Sequence, residues 1–171
     1  MVKLVEEMLS QLAAREKAFH TLYTLQKARF HGEIFAEQIV NNRLIRTSYD
    51  ALYRLCDSAA AGLVNAVGAG DGTRFVGIYM DNSPLWVACF WGTLMTGYKP
   101  LLRNPRHTPQ ETAAVLADCK PVCVLTDGVW QGEGALDASA FPKDVPAPDA
   151  VWADEIALLT SGTTGKPRVI V

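Results

Sequence analysis

The stretch FVGIYMDNSPLWVACFWGTLMTGYKPLL, residues 75–102, decides the fold class. Residues 75–80 are a short, mostly apolar run that reads as a strand. Ser83-Pro84 then pairs an N-capping hydroxyl with a proline at the first helical position, where a missing N–H costs nothing. The apolar run that follows closes at Gly97. It is shorter than the roughly 20 residues a membrane span needs, so it reads as a buried helix. Residues 100–102 read as the next strand. A strand, a helix and a second strand in this order predict a right-handed crossover between parallel neighbours.

The same alternation continues downstream. Thr108-Pro109-Gln110-Glu111 has the form of a capping box, with a helix running to about Asp118 and a strand over 121–126. Upstream, Thr47 with Asp50 three residues on resembles another capping box. Leu52, Leu55, Cys56, Ala59, Leu63 and Val67 then recur on one helix face, until Gly68 and Gly70 stop it. Residues 33–46 read as a hairpin of two short strands around Asn41-Asn42. Residues 4–25 carry Leu4, Val5, Met8, Leu9, Leu12, Phe19, Leu22 and Tyr23 at helical spacing. Acidic and basic residues share the polar face, which favours packing on the domain over a membrane surface. The expected class is α/β: a mainly parallel sheet flanked by helices, with an N-terminal helix and a hairpin.

From 127 to 153 the periodicity fails, and prolines, glycines and acidic residues take over. This segment reads as a solvated excursion; Asp137, Asp144 and Asp149 have no spacing that would build a metal site. Residues 156–160 read as a buried strand that delivers LTSGTTGKPR, residues 159–168, at its carboxyl end, where open α/β sheets bind ligands. Gly162 and Gly165 let the backbone approach a ligand closely, so that successive N–H groups can face one set of anionic oxygens. Ser161, Thr163 and Thr164 add hydroxyls, and Lys166 adds a mobile positive charge. The loop is not the P-loop of nucleotide hydrolases. Only two residues separate Gly162 from Gly165, and Lys166 is followed by Pro167, which offers no hydroxyl to Mg²⁺.

This loop resembles the phosphate-binding signature of the adenylate-forming superfamily, which includes acyl-CoA synthetases, fatty-acyl-AMP ligases, luciferases and the adenylation domains of peptide synthetases. Four further segments agree in order along the chain: Thr47-Ser48-Tyr49-Asp50-Ala51-Leu52, Gly77-Ile78-Tyr79-Met80-Asp81-Asn82-Ser83-Pro84, Gly97-Tyr98-Lys99-Pro100-Leu101-Leu102-Arg103-Asn104-Pro105-Arg106 and Asp154-Glu155-Ile156-Ala157-Leu158-Leu159. The resemblance implies the amino-terminal portion of the large domain of these enzymes, divided into an N-terminal helix (1–30), a hairpin with βαβ units (31–126), the solvated loop (127–153) and the strand of the phosphate loop (154–171). It implies attack of a carboxylate on the α-phosphorus of ATP, giving an acyl-adenylate and pyrophosphate, and then transfer to the thiol of CoA or of a carrier protein. Thr160, Ser161, Gly162, Thr163, Thr164, Gly165, Lys166 and Arg168 would bind the ATP phosphates, with Mg²⁺ sharing their charge. Relatives usually carry lysine and then glycine where this chain has Arg168 and Val169. Arginine keeps the charge without the compact ammonium, and Val169 suits a continuing strand.

The resemblance also places the adenine and ribose contacts, the Mg²⁺-associated acid and the catalytic lysine in several hundred further residues. No catalytic residue is therefore expected within these 171, and adenylation by them alone is not. An uncovered sheet edge would favour self-association. The alternative is a non-catalytic module that binds a nucleotide phosphate or another protein.

Composition narrows the partners. The formal net charge of −2, without a dense Lys/Arg cluster, points away from nucleic acid and anionic membrane as main partners. Glu6 and Glu7 interrupt what a secretory signal would need. Cys56, Cys89, Cys119 and Cys123 form no Cys-x-x-Cys pair, and His20, His31 and His107 flank no nucleophile. Reduced, mostly buried thiols in a cytoplasmic protein are expected, without a metal site or a hydrolase triad.

Overall fold

A computed structural model describes residues 18–102, 108–149, 151–161 and 167–170, with residues 159–161 and 167–170 described as backbone only. The chain runs α1 (Ala18–Arg29), β1 (Ile34–Val40), β2 (Arg43–Ser48), α2 (Tyr49–Val67), β3 (Phe75–Tyr79), α3 (Pro84–Met95), β4 (Lys99–Leu102), α4 (Pro109–Cys119), β5 (Val124–Thr126), β6 (Ala135–Asp137), a 3-10 turn (Ala138–Ala140), β7 (Leu158–Ser161) and β8 (Pro167–Ile170).

The expected strand–helix–strand unit is present. Ser83 accepts a hydrogen bond from Trp86 N, and Pro84 opens α3. Eight of the twelve residues of α3 are buried, so its apolar run needs no membrane. Strands β3 and β4 pair in parallel, from Phe75 with Lys99 to Ile78 with Leu102. Strand β5 joins the other side of β3, giving the order β4-β3-β5-β6 with every pair parallel.

Alternation along the strands separates two faces. Val76, Ile78, Cys123 and Leu125 pack with Ala59 and Leu63 of α2 and Cys89 of α3. Leu101 points the other way, into a cluster with Val115 of α4 and Ala157. Helices α2 and α3 meet closely because Gly92 has no side chain: a Cβ there would lie 2.9 Å from the Ala59 Cβ and 2.9 Å from the Ala60 nitrogen. Gly97, at φ +78°, turns the chain from α3 into β4 in the left-handed region that glycine enters without strain.

Several boundaries differ from the sequence reading. Helix α2 is capped by Ser48, the last residue of β2, whose hydroxyl accepts from Ala51 N, and not by Thr47, which lies within β2. Asp50 is spent elsewhere: its carboxylate accepts from Gly32 N and meets His31 Nδ1. Helix α1 ends at Arg29, within the expected N-terminal helical segment 1–30 and past the apolar periodicity read over 4–25, and positions 1–17 lie outside the described residues. The capping box at Thr108 and Glu111 is as expected, with both reciprocal bonds made. The 127–153 segment is not wholly solvated: β6 adds a strand to the sheet, and Ala138 and Ala153 are buried. A three-residue strand is too short for an alternation to register in sequence.

The hairpin forms around Asn41 and Asn42 as expected. Both have positive φ, 51° and 60°, as a type I′ turn requires.

Candidate functional site

The site is set by the carboxyl edge of the sheet. In an open α/β sheet the ligand crevice lies beyond the strand ends where the strand order reverses. Here the reversal is at β3, since the chain moves from β3 outward to β4 and then returns to place β5 on the opposite side. Register puts Tyr79, Thr126 and Asp137 in one row across the carboxyl ends of β3, β5 and β6. The Tyr79 ring, buried, lies 5.5 Å from the Trp130 ring. The Thr126 hydroxyl accepts from Gly128 N at 3.2 Å, and the Asp137 carboxylate accepts from Ser139 N and Oγ at 2.9 and 2.6 Å. These two polar groups therefore shape the turns at this edge. The sequence reading missed the row because its third member lies in β6.

The strand that carries the candidate loop reaches the same edge beside β4. Ala157 N donates to the Pro100 carbonyl and Leu102 N to the Ala157 carbonyl, a single parallel bridge between Leu101 and Ala157. The Lys99 ammonium and the Glu155 carboxylate pair across the same two segments. Lys99 is mostly buried and Glu155 about half exposed, so the pair adds little energy to the backbone bridge it spans. Sequence reading had quoted both residues without linking them.

Beyond Ala157 the chain departs from the expected buried strand. Leu158 is half exposed, and β7 pairs with β8 in an antiparallel ladder instead of extending the parallel sheet. Of the sequence-predicted site residues, Thr160 and Ser161 lie on β7 and Arg168 on β8. Thr160 is opposite Arg168, and Ser161 is opposite Pro167. Gly162, Thr163, Thr164, Gly165 and Lys166 lie outside the described residues. Val169 and Ile170 continue β8, as expected from their β-branched side chains.

The thiols are structural. Cys56, Cys89 and Cys123 are buried and Cys119 is partly so; all four are free. Burial pushes the Cys89 and Cys123 thiols up to about 12, and pushes Cys56 and Cys119 up as well. Neutral buried thiols are poor nucleophiles. Among the described residues no group of His, Cys, Asp or Glu is arranged to hold a metal ion, and no helix is long and apolar enough to cross a membrane.

Comparison with known proteins adds a family. The model of the AMP-binding enzymes matches residues 26–171. Similar solved structures include the N-terminal subdomain of NpsA from Klebsiella oxytoca in complex with 3-hydroxybenzoyl-AMSN, at 22% identity and a TM-score of 0.66, covering 87% of this chain and 39% of that one. O-succinylbenzoate CoA synthetase (MenE) from Bacillus subtilis, in complex with AMP, is similar at 17% identity and a TM-score of 0.67, covering 86% and 40%. NpsA-ThdA, an artificially fused adenylation–PCP di-domain from K. oxytoca, is similar at 22% identity and a TM-score of 0.67, covering 90% and 32%. At these identities the likeness is one of fold, and the chain spans two-fifths or less of each of these chains. A search of curated proteins finds no match.

Proposed function

The chain belongs to the family of AMP-binding enzymes, and on that premise we propose that it is the amino-terminal, phosphate-gripping part of an ATP-dependent ligase that activates a carboxylic acid as its acyl-adenylate. The observation that supports this reading is the ladder that sets Ser161 opposite Pro167, the two residues that flank the glycine–threonine segment in sequence.

The chemistry follows from charge. A carboxylate approaching the α-phosphorus of ATP meets a polyanion, and pyrophosphate must leave with its charge held. Backbone N–H groups of Gly162 and Gly165, the hydroxyls of Thr160, Ser161, Thr163 and Thr164, and the cations of Lys166 and Arg168 bind and orient the β- and γ-phosphates and offset that charge. Mg²⁺ bound to the nucleotide would supply further charge compensation on the same phosphates. The second half-reaction transfers the acyl group to a thiol, of CoA or of a carrier protein, which makes the complete enzyme an acid–thiol ligase of the acyl-CoA synthetase type, working in the cytoplasm on acids such as fatty acids. In this reading the 171 residues alone do not complete adenylation.

ATP–pyrophosphate exchange tests this reading. Co-expression with a complementary carboxyl-terminal piece of an AMP-binding enzyme, assayed over a panel of acids, gives acid-dependent exchange, and Lys166→Gln lowers it about a hundredfold. Exchange by the 171-residue chain alone, or none from the reconstituted pair with any acid, overturns it.

A further inference from the structure

We propose a second anion site, separate from the phosphate loop, in the pocket between β2, α2 and the segment after the 3-10 turn; its ligand is a phosphate-type dianion. The cavity measures about 280 Å³ and is lined by Arg46 and Thr47 of β2, Arg54 and Ser58 of α2, and Lys143 and Asp144. None of these residues belongs to β7 or β8, so the inference does not depend on the ATP reading.

The sequence puts these groups together by simple spacing. Arg54 and Ser58 are four residues apart and share one face of α2. The hairpin enters α2 directly at Ser48, which holds Arg46 and Thr47 beside the first turns of the helix. The third wall is fixed by Phe141. Its ring lies over Gly62, where a Cβ would be only 2.3 Å from it, so the aromatic side chain seats on bare helix backbone one turn beyond Ser58. Lys143 and Asp144 follow two and three residues later.

Three cations line the pocket against Asp144, and Glu37 just outside it pairs with Arg46, which leaves one positive charge in favour of an anion. Arg46 Nε donates to Glu37 Oε1 at 2.8 Å, which orients its guanidinium and leaves its other N–H donors available. Arg54 Nε lies 3.7 Å from Asp144 Oδ1, near enough to feel the charge and too far for a hydrogen bond. Asp144 holds φ at +55°, a left-handed conformation uncommon for a residue with a side chain.

Ser58 adds a hydroxyl donor to the three cations. Its residue is 94% buried, since only 6% is exposed, and its hydroxyl makes no hydrogen bond with any described residue. Among the described residues the buried hydroxyls without a partner are those of Tyr23, Tyr53 and Thr93; the Ser58 oxygen instead opens onto the pocket, where it can donate to a ligand. An anion oxygen in the pocket can accept from Ser58, while the fork-shaped guanidinium of Arg54 suits two oxygens of a tetrahedral phosphate. Asp144 then acts as the internal competitor that such a ligand displaces from Arg54.

The test is an amide-resolved NMR titration of the 171-residue chain with inorganic phosphate, against sodium chloride at equal ionic strength. Saturable shifts at Thr47, Arg54 and Ser58 are expected with phosphate and not with chloride. Arg54→Gln and Lys143→Gln each weaken binding about tenfold. Asp144→Asn tightens it, Ser58→Ala weakens it without any change of charge, and Lys166→Gln leaves the shifts at Ser58 in place. A parallel arm with glycerol phosphate distinguishes sources: tighter binding assigns the site to phosphate esters, equal or weaker binding to free phosphate. Non-saturating shifts, equal shifts with chloride, or indifference to Arg54→Gln and Lys143→Gln in folded protein overturn the proposal. So does loss of the Ser58 shifts in Lys166→Gln, which would place the anion in the glycine–threonine loop.

Discussion

The parallel sheet with its helices and the β1–β2 hairpin are written in the same residue types, yet they sit in opposite surroundings. In the sheet, Val76, Ile78, Leu101 and Leu125 are wholly buried. In the hairpin, Ile39 is 79% exposed and Ile34, Val40, Leu44 and Ile45 are each about half exposed. The sheet finds its cover within its own connections, because each crossover lays a helix on a face. A two-stranded ribbon has two faces, and only its inner end, through Phe35 against Tyr49, packs on the helices. β-branched residues therefore specify extended backbone in both places; what lies over them is decided by topology. A free hairpin of this kind is marginal, and it persists by its turn and its anchorage.

The sharpest way to break this contrast is to wedge apart the helices that cover the sheet. Gly92→Leu places a side chain where the Ala59 Cβ and the Ala60 nitrogen already lie 2.9 Å from a bare Cβ. Backbone stands on the other side, so neither helix can yield cheaply. A loss of about 3 kcal/mol or more is expected, at the upper end of overpacking effects, read as a fall in the urea midpoint. An unchanged midpoint would mean that α2 and α3 are not the rigid cover the sheet depends on.

The second effect separates the two regions by chemistry, because Cys89 and Cys123 lie in the sheet cluster and the hairpin has no cysteine. Desolvation raises both thiols to about 12, with each other's charge a smaller cause for Cys89. A folded pKa above the unfolded one favours the protonated form on folding. The contribution is fully present below the unfolded thiol value, near 9, and is lost as the pH climbs toward 12. At about pH 10.5 each thiol is expected to withdraw about 2 kcal/mol. The double variant Cys89→Ala/Cys123→Ala begins less stable at neutral pH but declines less steeply. Parallel slopes for the variant and the parent would show that these thiols are hydrated.

How much of this was legible in sequence follows the same division. The strand–helix–strand unit was readable because cap, proline and apolar run coincide within 75–102, and the Asn41-Asn42 turn because few residues accept positive φ twice in succession. Strand β6 was not: Ala135, Leu136 and Asp137 are too few to show a period, and their pairing with β5 is a tertiary choice. The cap of α2 shifted by one residue because Thr47 and Ser48 are chemically alike, and only backbone geometry selects Ser48. At the candidate site, the motif's composition marked the residues, and the ladder between β7 and β8 set the ends of the loop side by side. The antiparallel return was hidden because Val169 and Ile170 suit any strand. The pocket around Ser58 was invisible, since its walls come from three segments spanning almost a hundred residues.

The smallest effect tests the exposed side of the comparison. Ile39 and Leu44 are register partners on one hairpin face, far out on the ribbon near the turn. Being exposed already, they lose little by becoming polar: Ile39→Ser/Leu44→Ser is expected to change the stability of the chain by no more than about 0.5 kcal/mol, the range of surface substitutions away from special features. The β propensity lost in the ribbon acts in the same small range and destabilises. The measurement is the urea midpoint of the double variant, with the amide signals of Gln38 and Ile45 reporting whether the ladder still forms. A loss of 2 kcal/mol or more, on the scale of buried side chains, would mean that these residues are covered in solution, and the distinction between a covered sheet and an uncovered ribbon would then fall.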